Sequence, residues 1–215
     1  MDDSMETSGL QFFGAMTASI SHEIKNRLAI INEQAGLLSD FVKMAQNGRP
    51  LDHKRLKNLA DAIKKQVSLT DTIIKHMNQF AHSTDQIYQS VNLEDLLVLM
   101  GALFKRKTEN CGIRLETKGP EPAITIVTAP ILLLNLIWQC LLPLFIAKRS
   151  DQKLVVTSKT HNNLLQILLN ISAKESLKGF VLTETVIRLA ETIGATLTVG
   201  SDNNSLKIEL PLKKP

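Results

Sequence analysis

The chain has 215 residues, 44% hydrophobic and 21% charged, with a formal net charge of +4, enough apolar matter for a core in each of one or two compact domains. The basic excess is small and nowhere gathered with aromatics, which argues against nucleic acid as a partner. Two cysteines, Cys111 and Cys140, without CxxC spacing or a histidine at ligand spacing, predict packing roles, no metal site and a reducing compartment.

The N-terminal MDDSMETSGL is acidic and polar, unlike the basic-then-apolar run of a secretory leader, so the reading places the protein in the cytoplasm with residues 1–7 as a disordered tail. From Ser8 to Tyr88 two long helices are expected, joined at Asn47-Gly48-Arg49-Pro50. Phe13, Met16, Ile20, Ile24, Leu28, Ile31, Ala35, Leu38, Val42 and Ala45 recur at steps of three or four and draw one apolar stripe. Leu56, Leu59, Ile63, Val67, Ile74, Met77 and Phe80 draw its counterpart on the second helix. Two helices side by side cannot close such stripes from water, so a second copy of the hairpin is expected to complete a four-helix bundle, giving a homodimer.

Residues 89–215 read as a second domain. A helix near Leu93 to Thr108 precedes short β-rich runs at Gly112-to-Lys118 and Ala123-to-Val127, around the turn Gly119-Pro120-Glu121-Pro122. The apolar stretch Ile131 to Ala147 falls short of the roughly 20 residues that span a bilayer and is interrupted by Asn135, Gln139 and Pro143, so it reads as a buried helix rather than a membrane segment. Strands follow at Lys153-to-Thr160 and Leu164-to-Ile171 across His161-Asn162-Asn163. A helix from Phe180 to Ile193 stops at Gly194, and two strands flank Ser201-Asp202-Asn203-Asn204-Ser205. The expected class is α+β: a helical hairpin (8–88) followed by a two-layer α/β sandwich (89–215).

The chemistry sits in the first helix, at Ser21-His22-Glu23-Ile24-Lys25-Asn26-Arg27-Leu28-Ala29. His22 lies two residues from both Ile20 and Ile24 and so projects off the buried stripe, and Asn26, four residues on, shares its face one turn along. An exposed imidazole is both a nucleophile and a leaving group at neutral pH, and a neighbouring amide can orient a water or a phosphoryl oxygen. The other four histidines, His53, His76, His82 and His161, have no such surroundings. This segment resembles the phosphoacceptor box of sensor histidine kinases in the variant that reads HExKN. The resemblance implies that His22 carries the phosphoryl group, that Glu23 is its hydrogen-bond partner or general base, and that Asn26 positions water for phosphatase chemistry. It also implies that the surface below His22, with Lys25, Arg27 and Ile30, docks a response-regulator receiver domain. Arg27 stands where that family usually has proline, so the helix bend below the histidine is not expected.

The second domain resembles the ATP-binding domain of the same kinases, with departures at the nucleotide. Leu134-Asn135-Leu136-Ile137-Trp138-Gln139-Cys140 is similar to the helix written LNLLxNA, with Gln139 in place of the magnesium-binding Asn; a longer amide shifts the oxygen by roughly one bond, which magnesium tolerates poorly. Asn170-Ile171-Ser172-Ala173-Lys174 replaces DxGxG, too few residues remain before Phe180 for a nucleotide lid, and Gly179-Phe180-Val181-Leu182 replaces GLGL, with Val181 where bare backbone should approach a phosphate. The resemblance thus implies a kept fold and an erased nucleotide site at Asn135, Gln139, Asn170, Gly179 and Val181, with neither ATP nor magnesium bound. The combination is similar to kinase-derived histidine phosphotransferases, which move phosphoryl groups between receiver aspartates. Two other readings share the motif: a divergent ATP-dependent kinase, and a non-catalytic regulator that binds a response regulator or a kinase.

Overall fold

The computed structural model describes residues 3–119, 122–147, 152–172, 181–201 and 203–212. The chain divides into two compact units, Thr17–Asn78, and Met1–Met16 together with Gln79–Pro215. The boundary expected between residues 88 and 89 is therefore displaced: the first turns of one helix and the last of another belong with the α/β part.

The smaller unit is the helical hairpin. It is made from the parts of α1 (Asp3–Gln46) and α2 (His53–His82) that lie between Thr17 and Asn78. The end of α1 closes through Arg49 N–H to Met44 O (3.1 Å) and Gly48 N–H to Ala45 O (3.0 Å), with Gly48 at φ +80, the paired 6→1 and 5→2 bonds of a glycine-terminated helix. Asp52 then caps α2, its Oδ1 accepting from the N–H groups of Lys54 (2.9 Å) and Arg55 (3.2 Å). Within this unit Ile20 and Leu59 are buried, whereas Leu28, Leu38, Val42, Val67, Ile74 and Met77 remain exposed.

The larger unit adds β1 (Gln89–Asn92), α3 (Leu93–Asn110), β2 (Ile113–Lys118), β3 (Thr125–Thr128), α4 (Pro130–Ala147), β4 (Gln152–His161), β5 (Leu164–Ile171), α5 (Glu184–Ile193), β6 (Thr196–Val199) and β7 (Ser205–Pro211). The main sheet has order β2-β4-β5-β7-β6, with β2 and β4 parallel and the remaining pairs antiparallel; β1 and β3 form a separate antiparallel pair. The runs flanking Gly119–Pro122 thus enter different sheets, and β1, too short to show a period, is an addition to the expected elements. Alternation explains the layering: Leu165, Ile167, Leu169 and Ile171 of β5 and Leu206, Ile208 and Leu210 of β7 are all buried. The β4–β5 hairpin turns on Asn162 and Asn163, at φ +50 and +61, a left-handed pair that asparagine tolerates. Thr183 caps α5, which starts four residues later than expected, and Gly194 ends it at φ +68.

Residues 3–7, expected as a disordered tail, are helical. The reason is tertiary: Ser8 is buried and Met5 Sδ accepts from Thr192 Oγ1 at 3.7 Å, so this end of α1 has a surface to lie on. Phe12, not Phe13, is the buried ring; it meets Phe80, Phe104 and Trp138 at centroid distances of 5.8, 6.4 and 6.2 Å, while Phe13 stacks on Phe80 at the edge of this cluster. Both cysteines are buried and free. Among the described residues no helix is long and apolar enough to cross a membrane.

Candidate functional site

His22 and Asn26 are exposed on α1 and touch, with Asn26 Nδ2 3.3 Å from His22 Nδ1. At 100° per residue they point within roughly 40° of each other, and His22 points roughly 160° away from the buried Ile20. The contact has two forms that differ by a half-turn of the Asn26 amide. With Nδ2 donating to Nδ1, the ring proton sits on Nε2 and the outward nitrogen has no lone pair to offer. With Oδ1 accepting from Nδ1–H, Nε2 presents its lone pair to solvent, and only this form is nucleophilic.

The neighbours divide. Lys25 is exposed and Ile30 half-buried. Arg27, expected on the docking surface, is turned into the hairpin: its Nη2 lies 3.6 Å from Glu23 Oε1 and its Nη1 donates to Gln66 Oε1 of α2 at 3.3 Å. Its Nε is buried without a hydrogen-bond partner. Glu23 is therefore tied to Arg27 in a strut that crosses from α1 to α2 one turn below His22. Gln66 was not among the expected site residues; its signal was an amide next to Val67 on the apolar side of α2.

The residues of the presumed nucleotide helix are together but engaged. Asn135 and Gln139 lie one turn apart on α4, Gln139 Nε2 donating to Asn135 Oδ1 at 3.4 Å. Both amides donate to Ser8 Oγ on α1, from Gln139 at 2.9 Å and from Asn135 at 3.3 Å. Asn135 is 1% exposed and Ser8 5%, so these bonds satisfy polar groups that water does not reach. Nothing in the sequence distinguished Ser8 from an ordinary helix-surface serine. Asn170 stays in the regular ladder, opposite Val155 and Ser205, and the strand is fastened just beyond it by Lys153 N–H to Ser172 Oγ at 2.8 Å. Val181 is exposed, whereas Gly179 and the segment read as too short for a lid lie outside the described residues. Among the described residues no group of His, Cys, Asp and Glu is arranged to hold a metal.

No protein-family model and no curated protein matches the sequence. Solved structures do match. The histidine kinase AdeS of Acinetobacter baumannii is 11% identical over 89% of this chain and 98% of its own, with a TM-score of 0.46. A bacterial phosphotransferase is 14% identical over 93% of this chain and 95% of its own, at 0.47. The histidine kinase ThkA, in complex with the response regulator protein TrrA, is 18% identical over 94% of this chain and 63% of its own, at 0.46. At these identities and TM-scores the likeness transfers neither a family nor any residue's role to this chain.

Proposed function

We propose that the protein is a cytoplasmic, homodimeric histidine phosphotransferase that passes a phosphoryl group between receiver-domain aspartates through His22, without ATP. The observation that carries this reading is the exposed His22 imidazole with the Asn26 amide against its Nδ1; with that amide turned so that Oδ1 accepts from Nδ1–H, Nε2 is the nucleophile. In the transfer, the Nε2 lone pair forms a bond to phosphorus as the bond from phosphorus to the aspartyl oxygen breaks. The carboxylate leaves, and the ring, now phosphorylated and cationic, keeps its Nδ1 proton on Asn26 Oδ1. Reversal onto a second carboxylate restores the neutral imidazole. Such a transfer asks the protein chiefly for positioning, which a helix-borne pair supplies. The exposed stripe residues Leu28, Leu38, Val42, Val67, Ile74 and Met77 support a second copy as their cover. The Asn135 amide oxygen, buried and accepting from Gln139, supports the reading that Mg-nucleotide is not a ligand, because magnesium takes oxygen ligands.

The test is transfer of label from receiver domains of the same genome, phosphorylated beforehand with a small acyl phosphate. Wild type is expected to gain acid-labile, base-stable label and His22→Ala, equally folded, none. Asn26→Ala is expected to slow acceptance within the 10²–10⁴-fold range of a positioned proton partner at most. Labelling of wild type from γ-labelled ATP would replace this reading with the kinase, and no label from any receiver would replace it with the non-catalytic regulator.

A further inference from the structure

At the closed end of the hairpin, about 35 Å along α1 from His22 at ~1.5 Å per residue, lies a cleft of about 290 Å³ lined by Phe41, Met44, Arg49, Pro50, Leu51, Asp52 and Arg55. Its floor is apolar and open, with Met44 44% and Leu51 41% exposed. Its rim is basic. Asp52, the one acid there, is spent on capping α2 and on a 3.5 Å contact with Arg55 Nε. The Arg49 guanidinium meets no side-chain acceptor among the described residues.

The surrounding sequence adds to this charge. The first turn of α2 contains no acid; Lys54, Arg55 and Lys57 stand where carboxylates would be favoured by the partial positive charge of a helix N-terminus. Cations gathered there repel one another and the helix end, a cost that an incoming carboxylate relieves. An apolar cleft with the unanswered Arg49 guanidinium, and Arg55 sharing a single acid that also caps α2, matches side chains of both kinds on one ligand: an aliphatic group for Phe41, Met44 and Leu51, and carboxylates for Arg49 and Arg55.

We propose that this cleft is a docking site for an acidic, leucine-bearing peptide segment of a partner protein. A second copy of the chain is a poor occupant, since a symmetric contact would set the same cations against each other. A nucleic-acid backbone would answer the charge and leave the apolar floor wet. Lying well along the helix from His22, a segment held here leaves the histidine face free, so a partner anchored at the tip raises its own effective concentration at the histidine.

The probe is a fluorescent acetyl-(Glu-Glu-Leu-Leu)₃-amide peptide, titrated by anisotropy into the full chain. Wild type is expected to bind at micromolar concentration, with methyl resonance shifts at Met44. The exposed-site variant Arg49→Glu/Arg55→Glu is expected to lose tenfold or more in affinity while its acceptance of phosphoryl groups at His22 is unchanged. Three results would overturn the proposal: no binding by wild type, equal binding by the charge-reversed variant, or equal binding of a peptide with serine in place of every leucine. Displacement of the peptide by a short DNA duplex with loss of the Met44 shift would assign the basic rim to nucleic acid instead. None of these outcomes bears on whether His22 accepts a phosphoryl group.

Discussion

The hairpin and the α/β unit treat apolar residues in opposite ways. In the larger unit the rings of Phe12, Phe80, Phe104 and Phe145 and the aliphatic faces of β5 and β7 are buried to within a few per cent, and even the polar Ser8, Asn135 and Gln139 find partners in each other. Between Thr17 and Asn78 the apolar residues keep helical spacing, yet beyond Ile20 and Leu59 many stay wet, Leu28 at 52% and Val67 at 53% exposure. The first is a finished core. The second is half of one, which the proposed homodimer would complete. The same contrast sorts the chemistry: the unit with the closed interior has its polar groups consumed, and the unit with the open surface holds its histidine outward.

The largest effect that would break or sharpen this contrast is on assembly. If the open stripes are an interface between copies, a carboxylate placed in them must be desolvated on association, at several kcal/mol per ion. Leu28→Glu/Val67→Glu is therefore expected to sediment as a folded monomer at micromolar concentration where wild type sediments as a dimer. A wild-type monomer under the same conditions would leave the exposed stripes unexplained and remove the bundle.

How much of this was legible in the sequence follows the range of the forces involved. Local patterns carried most of it: the Asn-Gly-Arg-Pro connection, the alternation of β5 and β7, the glycine stop at Gly194, and the shared face of His22 and Asn26 all depend on residues within a turn or a strand. What was illegible is tertiary. Counting back from Met16, steps of three and four allow Phe13 or Phe12 equally; the ring that is buried was selected by Trp138 and Phe104, far along the chain. Ser8 lies 131 residues from Gln139, and no local pattern marks it. Arg27 looked like a surface cation because arginine usually is one, and its inward turn depends on Gln66 across the hairpin. The helical state of residues 3–7 has the same origin, since a polar, acidic segment has no reason of its own to be ordered.

A smaller effect tests the consumed polar cluster. Ser8→Ala removes the acceptor shared by the buried Asn135 amide and the half-buried Gln139 amide, which costs about 1–3 kcal/mol. The urea midpoint is expected to fall accordingly, with the slope unchanged. Replacing the amides as well, Asn135→Leu with Gln139→Leu on the same background, is expected to recover much of the loss, because a hydrogen bond missing both partners is cheaper than one missing a single partner. A neutral Ser8→Ala would show that the cluster contributes nothing to holding the start of α1 on the α/β unit.

The smallest effect appears only at high pH. Burial pushes the Cys140 thiol up to about 12 in the folded protein, against about 8.5 for a thiol in an unfolded chain. The sign follows from proton binding: between those values the native state keeps the proton and the unfolded state has lost it, so stability falls as pH rises, by at most about 1.4 kcal/mol per unit from this group. Below the ordinary thiol range both states are protonated and the group contributes no slope. Other groups also lose protons in alkali, so the quantity to measure is a difference between two proteins. Cys140→Val, close in volume and without an ionisable group, is expected to match wild type near pH 7 and to lose less stability between pH 9 and 11. Iodoacetamide at pH 8.5 is expected to leave Cys140 unmodified until the protein is unfolded, because the reactive species is the thiolate. Parallel pH profiles of the two proteins, or rapid alkylation of Cys140 in the native state, would mean that α4 opens to solvent and that the interior of the larger unit is less closed than the buried side chains around it require.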